Sequence, residues 1–167
     1  MRRLLAAIMI VLLISGCSAA GNDGAFLFFY PRAEYTQNTE DSVIAEEKRL
    51  NLNLSSTDDI LNLYAKGPED PQLRNPFPAG FKVLSVYIMD NTVYLTVSDS
   101  LSTLNSIDLV LACSSLGQTA IGITGAQTAQ ISCENAKLDG MNQFTVSAET
   151  IYYLDPVPTE TDRSTME

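Results

Sequence analysis

Histidine and tryptophan are both missing from the 167 residues of this chain. The absence of histidine excludes Ser-His-Asp and Cys-His catalysis and removes the commonest metal ligand of proteins. The sequence also contains no Gly-x-Ser-x-Gly, no phosphate-binding loop and no dinucleotide fingerprint. We therefore expect a protein that is not an enzyme, with no catalytic residue, no metal and no cofactor.

Adjacent acidic side chains include Glu46-Glu47, Asp58-Asp59 and Glu69-Asp70. Paired carboxylates can carry out acid–base catalysis when they share a site. Sequence neighbours point apart on both strands and helices, so adjacency does not indicate a shared site. We expect these acids to be solvated, including the charged run Glu46–Arg49.

Basic residues are scarce, with 10 lysines and arginines against 20 acidic residues and a net charge of −10. Loss of Arg2 and Arg3 with a signal peptide would lower the charge by two, to −12. Lys and Arg side chains supply most of the affinity for phosphate backbones, so nucleic acid is not expected as a partner. A body that lies flat on anionic lipid is disfavoured for the same reason.

A long apolar segment is also missing, because the run Leu4–Ile14 is shorter than the roughly 20 residues that span a bilayer. It follows Arg2 and Arg3 and has the build of an export signal. The end of this run and the next residues, Ile14-Ser15-Gly16-Cys17, resemble the lipobox of bacterial lipoproteins. That resemblance implies cleavage after Gly16, attachment of diacylglycerol to Cys17, and a position on the extracytoplasmic face of the cell membrane.

An ordinary secretory signal is the alternative. It would be cleaved near Ala19 or Ala20 and leave Cys17 as an accidental thiol. The remaining cysteines, Cys113 and Cys133, can form a disulfide outside the cytoplasm or stay as two buried thiols. Their spacing is not that of a metal site.

The hydrophobic patterns predict an α+β fold in one domain. We expect a signal peptide over 1–16, a flexible tether over 17–24, the domain over 25–154 and a disordered tail over 155–167. The predicted strands are Ala25–Tyr30, Ile44–Leu54, Phe81–Ile88, Thr92–Ser98, Thr128–Cys133, Gln143–Ser147 and Thr150–Leu154; the predicted helices are Ser55–Gly67 and Ser106–Thr119.

Local signals indicate the two ends of the first helix and one turn. Ser56 with Asp59 three residues later is typical of a helix start, and Gly67-Pro68 of a helix end. Asp90-Asn91 tolerates the positive φ angles of a two-residue hairpin turn. The strand before this turn is apolar at nearly every position. This indicates either a central strand covered on both faces or an outer face rich in aromatic side chains.

The order of these elements resembles the GerMN domain family of sporulation and germination lipoproteins. The resemblance rests on Leu63–Pro68, Asn75–Gly80 and the hairpin that joins Lys82–Val86 to Val93–Ser98, and it covers roughly Val43–Asn135. It implies a two-layer sandwich in one copy: a small mixed or antiparallel sheet of three to five strands, with two helices packed on one face. Members of the family are commonly lipoproteins, are not known for catalysis and include modules that oligomerise.

These features predict a lipid-anchored interaction module of the cell envelope, acting in sporulation and germination complexes or in the envelope generally. Its expected partners are the membrane, through the lipid, and envelope proteins or further copies of itself. Edge strands and the hairpin are the expected docking sites. The alternative is a ligand-binding lipoprotein for a peptidoglycan fragment, a peptide or a small solute, with Phe77, Tyr152 and Tyr153 as candidate groove residues.

Overall fold

The computed structural model describes residues 25–34, 42–50 and 56–149. The predicted signal peptide, tether, last strand and tail lie outside these ranges. Within them the chain forms six strands, two α-helices and one short 3₁₀ helix, Asp99–Thr103. The strands and α-helices are, in chain order, β1 (Ala25–Pro31), β2 (Ile44–Leu50), α1 (Thr57–Tyr64), β3 (Val83–Met89), β4 (Thr92–Val97), α2 (Ser106–Thr124), β5 (Thr128–Cys133) and β6 (Phe144–Ser147).

The described strands form two sheets. The larger has the order β3-β4-β5-β6, and the smaller is the antiparallel pair β1-β2. In the larger sheet β4 and β5 run parallel while the outer pairs are antiparallel. A parallel pair needs a crossover connection, which α2 supplies between β4 and β5. The predicted α+β class with a small mixed sheet and two helices is confirmed, and the pair β1-β2 is added to it.

Helix α1 begins where its sequence signal places it. The Ser56 hydroxyl accepts the Asp59 N–H at 3.1 Å and donates to the Asp59 carboxylate at 2.7 Å. These bonds satisfy a backbone donor that the first turn leaves without a helical partner. After the helix, Gly67 takes a φ of +106°, a conformation that glycine adopts without strain.

Helix α2 is five residues longer than predicted. Asn105 caps its start by accepting the Asp108 N–H at 3.0 Å, and Gly125 ends it in the left-handed conformation. The added residues include Gly122, and a helical glycine costs only about 1 kcal/mol. The packing of the long apolar face outweighs that cost. In the described chain α2 is also long and apolar enough to span a membrane, yet 61% of it is buried in the domain, as for a core helix.

Both helices pack on the same face of the larger sheet, with α1 against β3 and α2 against β4, β5 and β6. Alternate residues of the strands point into this core, among them Val93, Leu95, Ile131 and Val146. At Gly117 the backbone of α2 comes so close to β6 that an added Cβ would lie 2.6 Å from Val146. The smaller sheet packs against α2 through β1.

The four charged residues of β2, Glu46–Arg49, do not all face solvent. Glu46 and Lys48 are exposed, whereas the side chains of Glu47 and Arg49 are only 9% and 7% exposed. The prediction of a fully solvated run is therefore wrong for Glu47 and Arg49. The period of two along a strand places alternate charges on the inner side, where they pair at 2.8 Å.

This buried pair fastens the loop that follows α1. Arg49 donates to the Gly67 carbonyl at 2.7 Å, and its guanidinium lies 5.3 Å from the centre of the Phe28 ring. The second oxygen of the Glu47 carboxylate accepts the backbone N–H groups of Glu69 and Asp70, at 2.7 and 2.8 Å. One ion pair thus joins β2 to the loop through three backbone hydrogen bonds.

Candidate functional site

Strand β3 is one of the two edge strands of the larger sheet, the other being β6, and it has no neighbour beyond it in the part of the chain that the structure describes. Its large apolar side chains are about half exposed: Leu84 43%, Tyr87 53%, Ile88 56% and Met89 52%. A central position for this strand is therefore wrong. The crossover through α2 places β4 and β5 at the centre of the sheet instead. The apolar side chains of β3 are therefore part of the protein surface.

The ladder geometry shows which backbone groups of β3 point away from the sheet. Asp90 and Asn91 have φ angles of +48° and +63°, and Met89 pairs with Thr92 across this predicted two-residue turn. Residues that flank such a turn bond to each other, and the bonds then alternate along the antiparallel ladder. The N–H and C=O groups that face outward therefore belong to residues at alternate positions, Val86 and Ile88.

The beginning of β3 is covered by a side chain. The Asn62 amide accepts the Val83 N–H and donates to the Val83 carbonyl, both at 3.1 Å, and so satisfies that edge position. A register shift follows between Val83 and Ser85. Beyond it lies Ser85–Met89, which we call the free edge, a stretch without charge or proline. Charged residues and prolines usually protect an edge strand from pairing with another strand. Because the free edge contains neither, another strand can add to it.

The sheet face opposite the helices forms a second surface, here called the open face. On β4 and β5 it carries only uncharged polar and aromatic side chains: Thr92, Tyr94, Thr96, Thr128, Gln130 and Ser132. Tyr94 stacks on Tyr87 of the neighbouring strand, with ring centres 4.7 Å apart and planes 5° from parallel. A depression of about 200 Å³ lies beside this pair.

Cys113 on α2 and Cys133 on β5 are free thiols in the same buried core cluster. Burial, with a smaller contribution from Cys133, raises the pKa of the Cys113 thiol to about 12, so it is not a reactive nucleophile. The Cys133 thiol donates to the Ser98 carbonyl at 3.7 Å. The two thiols are not bonded to each other in this structure, so their disulfide outside the cytoplasm stays a prediction. The lipid on Cys17, which lies outside the described residues, also stays a prediction.

The described acidic residues do not cluster as metal ligands. No group of three or more acidic or cysteine side chains in the ranges that the structure describes could hold a metal ion. Glu46 and Glu47 point apart, and the Asp59 carboxylate accepts the hydroxyl of the α1 cap residue Ser56. The N–H groups of Asn135 and Ala136 bind the Asp99 carboxylate and lower its pKa. Asp59 and Asp99 therefore stabilise local structure.

Phe77 packs with the core. Its ring stacks on the Phe81 ring with centres 4.3 Å apart, and it packs edge to face with the Tyr64 ring with centres 5.4 Å apart. The other candidate groove residues, Tyr152 and Tyr153, lie outside the described residues. Sequence reasoning overlooked Tyr87 and Tyr94 as a site, although the alternation of the hairpin strands places both on one face.

Comparison with known proteins agrees with this fold. The family model described as "Germane: Sporulation and spore germination" matches residues 27–139, well over half of the chain. The solved tandem GerMN domains of the sporulation protein GerM from Bacillus subtilis match with a TM-score of 0.51 and 19% identity. That match covers 81% of this chain and 50% of the tandem structure, so the chain spans about half of it.

The solved first GerMN domain of the same protein matches with a TM-score of 0.49 and 13% identity, covering 70% of this chain and 90% of that one. A comparison with curated proteins finds no match. The family match contains the whole region over which the sequence resembled the GerMN domain. The chain belongs to the Germane family of sporulation and spore germination domains.

Proposed function

We propose that this protein is a lipid-anchored, non-catalytic interaction module on the outer face of the cytoplasmic membrane, which helps to assemble a sporulation or germination complex. Family membership supports the sporulation context. We infer the docking role from the free edge, which has no charged residue and whose apolar side chains are about half exposed. An extended segment of an envelope protein is the partner that fits this surface.

Strand addition would use both parts of the free edge. The outward N–H and C=O groups of Val86 and Ile88 would bond to the backbone of the incoming segment, and such bonds supply affinity without selecting a sequence. The side chains of Tyr87, Ile88 and Met89 would then select alternating apolar residues in that segment. The Asn62 amide at Val83 marks the point where the added strand must end.

A photo-cross-linking residue at Ile88 is expected to capture a defined partner in living cells, because this position lies on the free edge. The same residue at Ile107 is the control, since Ile107 is 71% exposed at the start of α2, away from that edge. We expect an adduct from position 88 that is at least about fivefold stronger than any from 107, and stronger in starved cells than in growing ones.

Equal adducts at the two positions, or none at position 88 in either culture, would contradict docking at the free edge. An adduct of the size of two copies would identify a second copy of the chain as the partner. Adding an Ile88→Lys substitution to a protein cross-linked through Met89 should then weaken the adduct, because a charge on an edge opposes pairing.

The anchor gives a separate expectation. Cys17→Ala should move most of the protein from the membrane fraction to the soluble fraction, because acyl chains contribute about 0.8 kcal/mol per buried CH₂ and two or three chains hold a protein durably. Fractionation followed by immunoblotting measures the shift. Cys113→Ala is the matched control and should stay with the membrane. Full retention of the Cys17→Ala protein would refute the anchor.

A further inference from the structure

The open face combines groups that recognise one class of ligand. Across the strands, Tyr87 is followed by Tyr94, Gln130 and Thr145 in register. The depression beside the tyrosine pair is also lined by Thr96, Ser132 and Gln143. A flat aromatic surface thus stands next to two side-chain amides and two hydroxyls, all on one rigid sheet.

The chemistry of this lining excludes several ligands. It has no charged side chain to pair with a phosphate, a carboxylate or an ammonium group. It is too polar for a purely apolar ligand, which would leave the amides without partners. At about 200 Å³ it is also smaller than the roughly 300–1,000 Å³ of pockets that enclose drug-sized molecules.

We propose that the open face binds a neutral glycan through its pyranose rings, with N-acetylated sugars as the preferred class. The apolar face of one ring would lie against an aromatic ring of the Tyr87–Tyr94 pair. The ring hydroxyls and the acetamido group would exchange hydrogen bonds with Gln130, Gln143 and the neighbouring hydroxyls, which donate and accept alike.

The open position of the site fits a polymer. A shallow depression on a sheet face can bind one ring of a chain while the rest of the chain extends past it. In this protein the aromatic contact is made by tyrosine, since tryptophan is absent from the sequence. The site shares Tyr87 with the free edge, but it uses side chains on the sheet face and not the outward backbone groups of Val86 and Ile88, so this inference does not depend on the docking proposal.

A purely structural role for the tyrosines is the competing explanation, because cross-strand aromatic pairs also stabilise hairpins. The amides distinguish the two explanations. Gln130 and Gln143 line the depression on β5 and just before β6, where their amides would bond to sugar. A tyrosine pair that only stabilised the hairpin would not require glutamine amides beside it.

The test uses the full-length protein purified in detergent and two probes, tetra-N-acetylchitotetraose in calorimetry and insoluble peptidoglycan sacculi in co-sedimentation. The wild-type protein should bind both. The double variant Gln130→Ala/Gln143→Ala should weaken binding about tenfold, since two hydrogen bonds are lost. Tyr94→Ala should weaken it by a similar factor. Gln127→Ala, an exposed glutamine just before β5, should leave it unchanged.

Thermal melting establishes that each variant folds, and if Tyr94→Ala does not fold the double glutamine variant decides alone. Failure of the wild-type protein to bind either probe would overturn the inference. Binding that persists in the double glutamine variant, or that Gln127→Ala weakens equally, would overturn it as well. Ile88→Lys should bind both probes like the wild-type protein, which separates this test from that of the free edge.

Discussion

Arg49→Met is expected to lower the free energy of unfolding by about 3–5 kcal/mol, the range for breaking one side of a buried ion pair. The substitution leaves the buried Glu47 carboxylate without its cation and the Gly67 carbonyl without its donor. It also removes the guanidinium from the Phe28 ring. Glu69 adds little to this effect, because its side chain is 79% exposed and 3.6 Å from Arg49. Urea denaturation of the full-length protein in detergent measures the loss.

Lys48→Met is the matched control for this prediction. Lys48 is the neighbouring cation on β2, but it is exposed, so its loss should change stability by less than about 0.5 kcal/mol. Adding Glu47→Gln to Arg49→Met should recover part of the loss, because a neutral amide oxygen can still accept the two loop N–H groups. Equal stabilities for Arg49→Met and Lys48→Met would show that the buried pair does not hold the loop.

Gly117→Ala is expected to destabilise the domain by about 2 kcal/mol. The new methyl group would lie 2.6 Å from two carbon atoms of Val146, well inside the roughly 3.5–4.0 Å of a favourable contact. Val146 is short and branched at Cβ, so β6 or α2 must move. Overpacking of this kind costs about 1–3 kcal/mol, here near the upper limit, and the better helix propensity of alanine offsets about 1 kcal/mol.

The same helix provides the control for the second prediction. An alanine Cβ at Gly122 would meet only the Phe29 ring, at an ordinary 3.7 Å. Gly122→Ala should therefore raise stability by up to about 1 kcal/mol. Adding Val146→Ala should relieve only part of the overlap in Gly117→Ala, because it removes both Cγ atoms of Val146 but keeps the Cβ at 2.6 Å. The double variant should still lose less than the two single losses combined. A Gly117→Ala protein as stable as the wild type would mean that α2 and β6 are not in close contact.

Several elements could be predicted from the chain because their causes are local. The Ser56 cap, the Asp90-Asn91 turn and the alternation of β5 each depend on residues within a few positions of one another. The resemblance to the GerMN family added the arrangement of helices on one sheet face, which the structure confirms. For the functional site, the predicted strands indicated docking at a sheet edge, without indicating which strand forms that edge.

The rest depends on contacts between distant parts of the chain. The apolar residues of β3 read equally well as a central strand, and only the parallel pairing of β4 with β5, through α2, leaves β3 at the edge. Glu47 and Arg49 look like surface charges until the loop after α1 closes over them. The close approach at Gly117 likewise requires β6 to be in place.

The sequence by itself determined the charge, the lack of catalytic chemistry that needs histidine, and the elements whose hydrogen bonds close within one turn or hairpin. The tertiary structure decided which apolar and aromatic side chains face solvent and which charges are buried. The physical reason is that burial is a property of the assembled sheet and helices. The free edge and the open face exist only because strands far apart in the chain pair in one order, β3-β4-β5-β6.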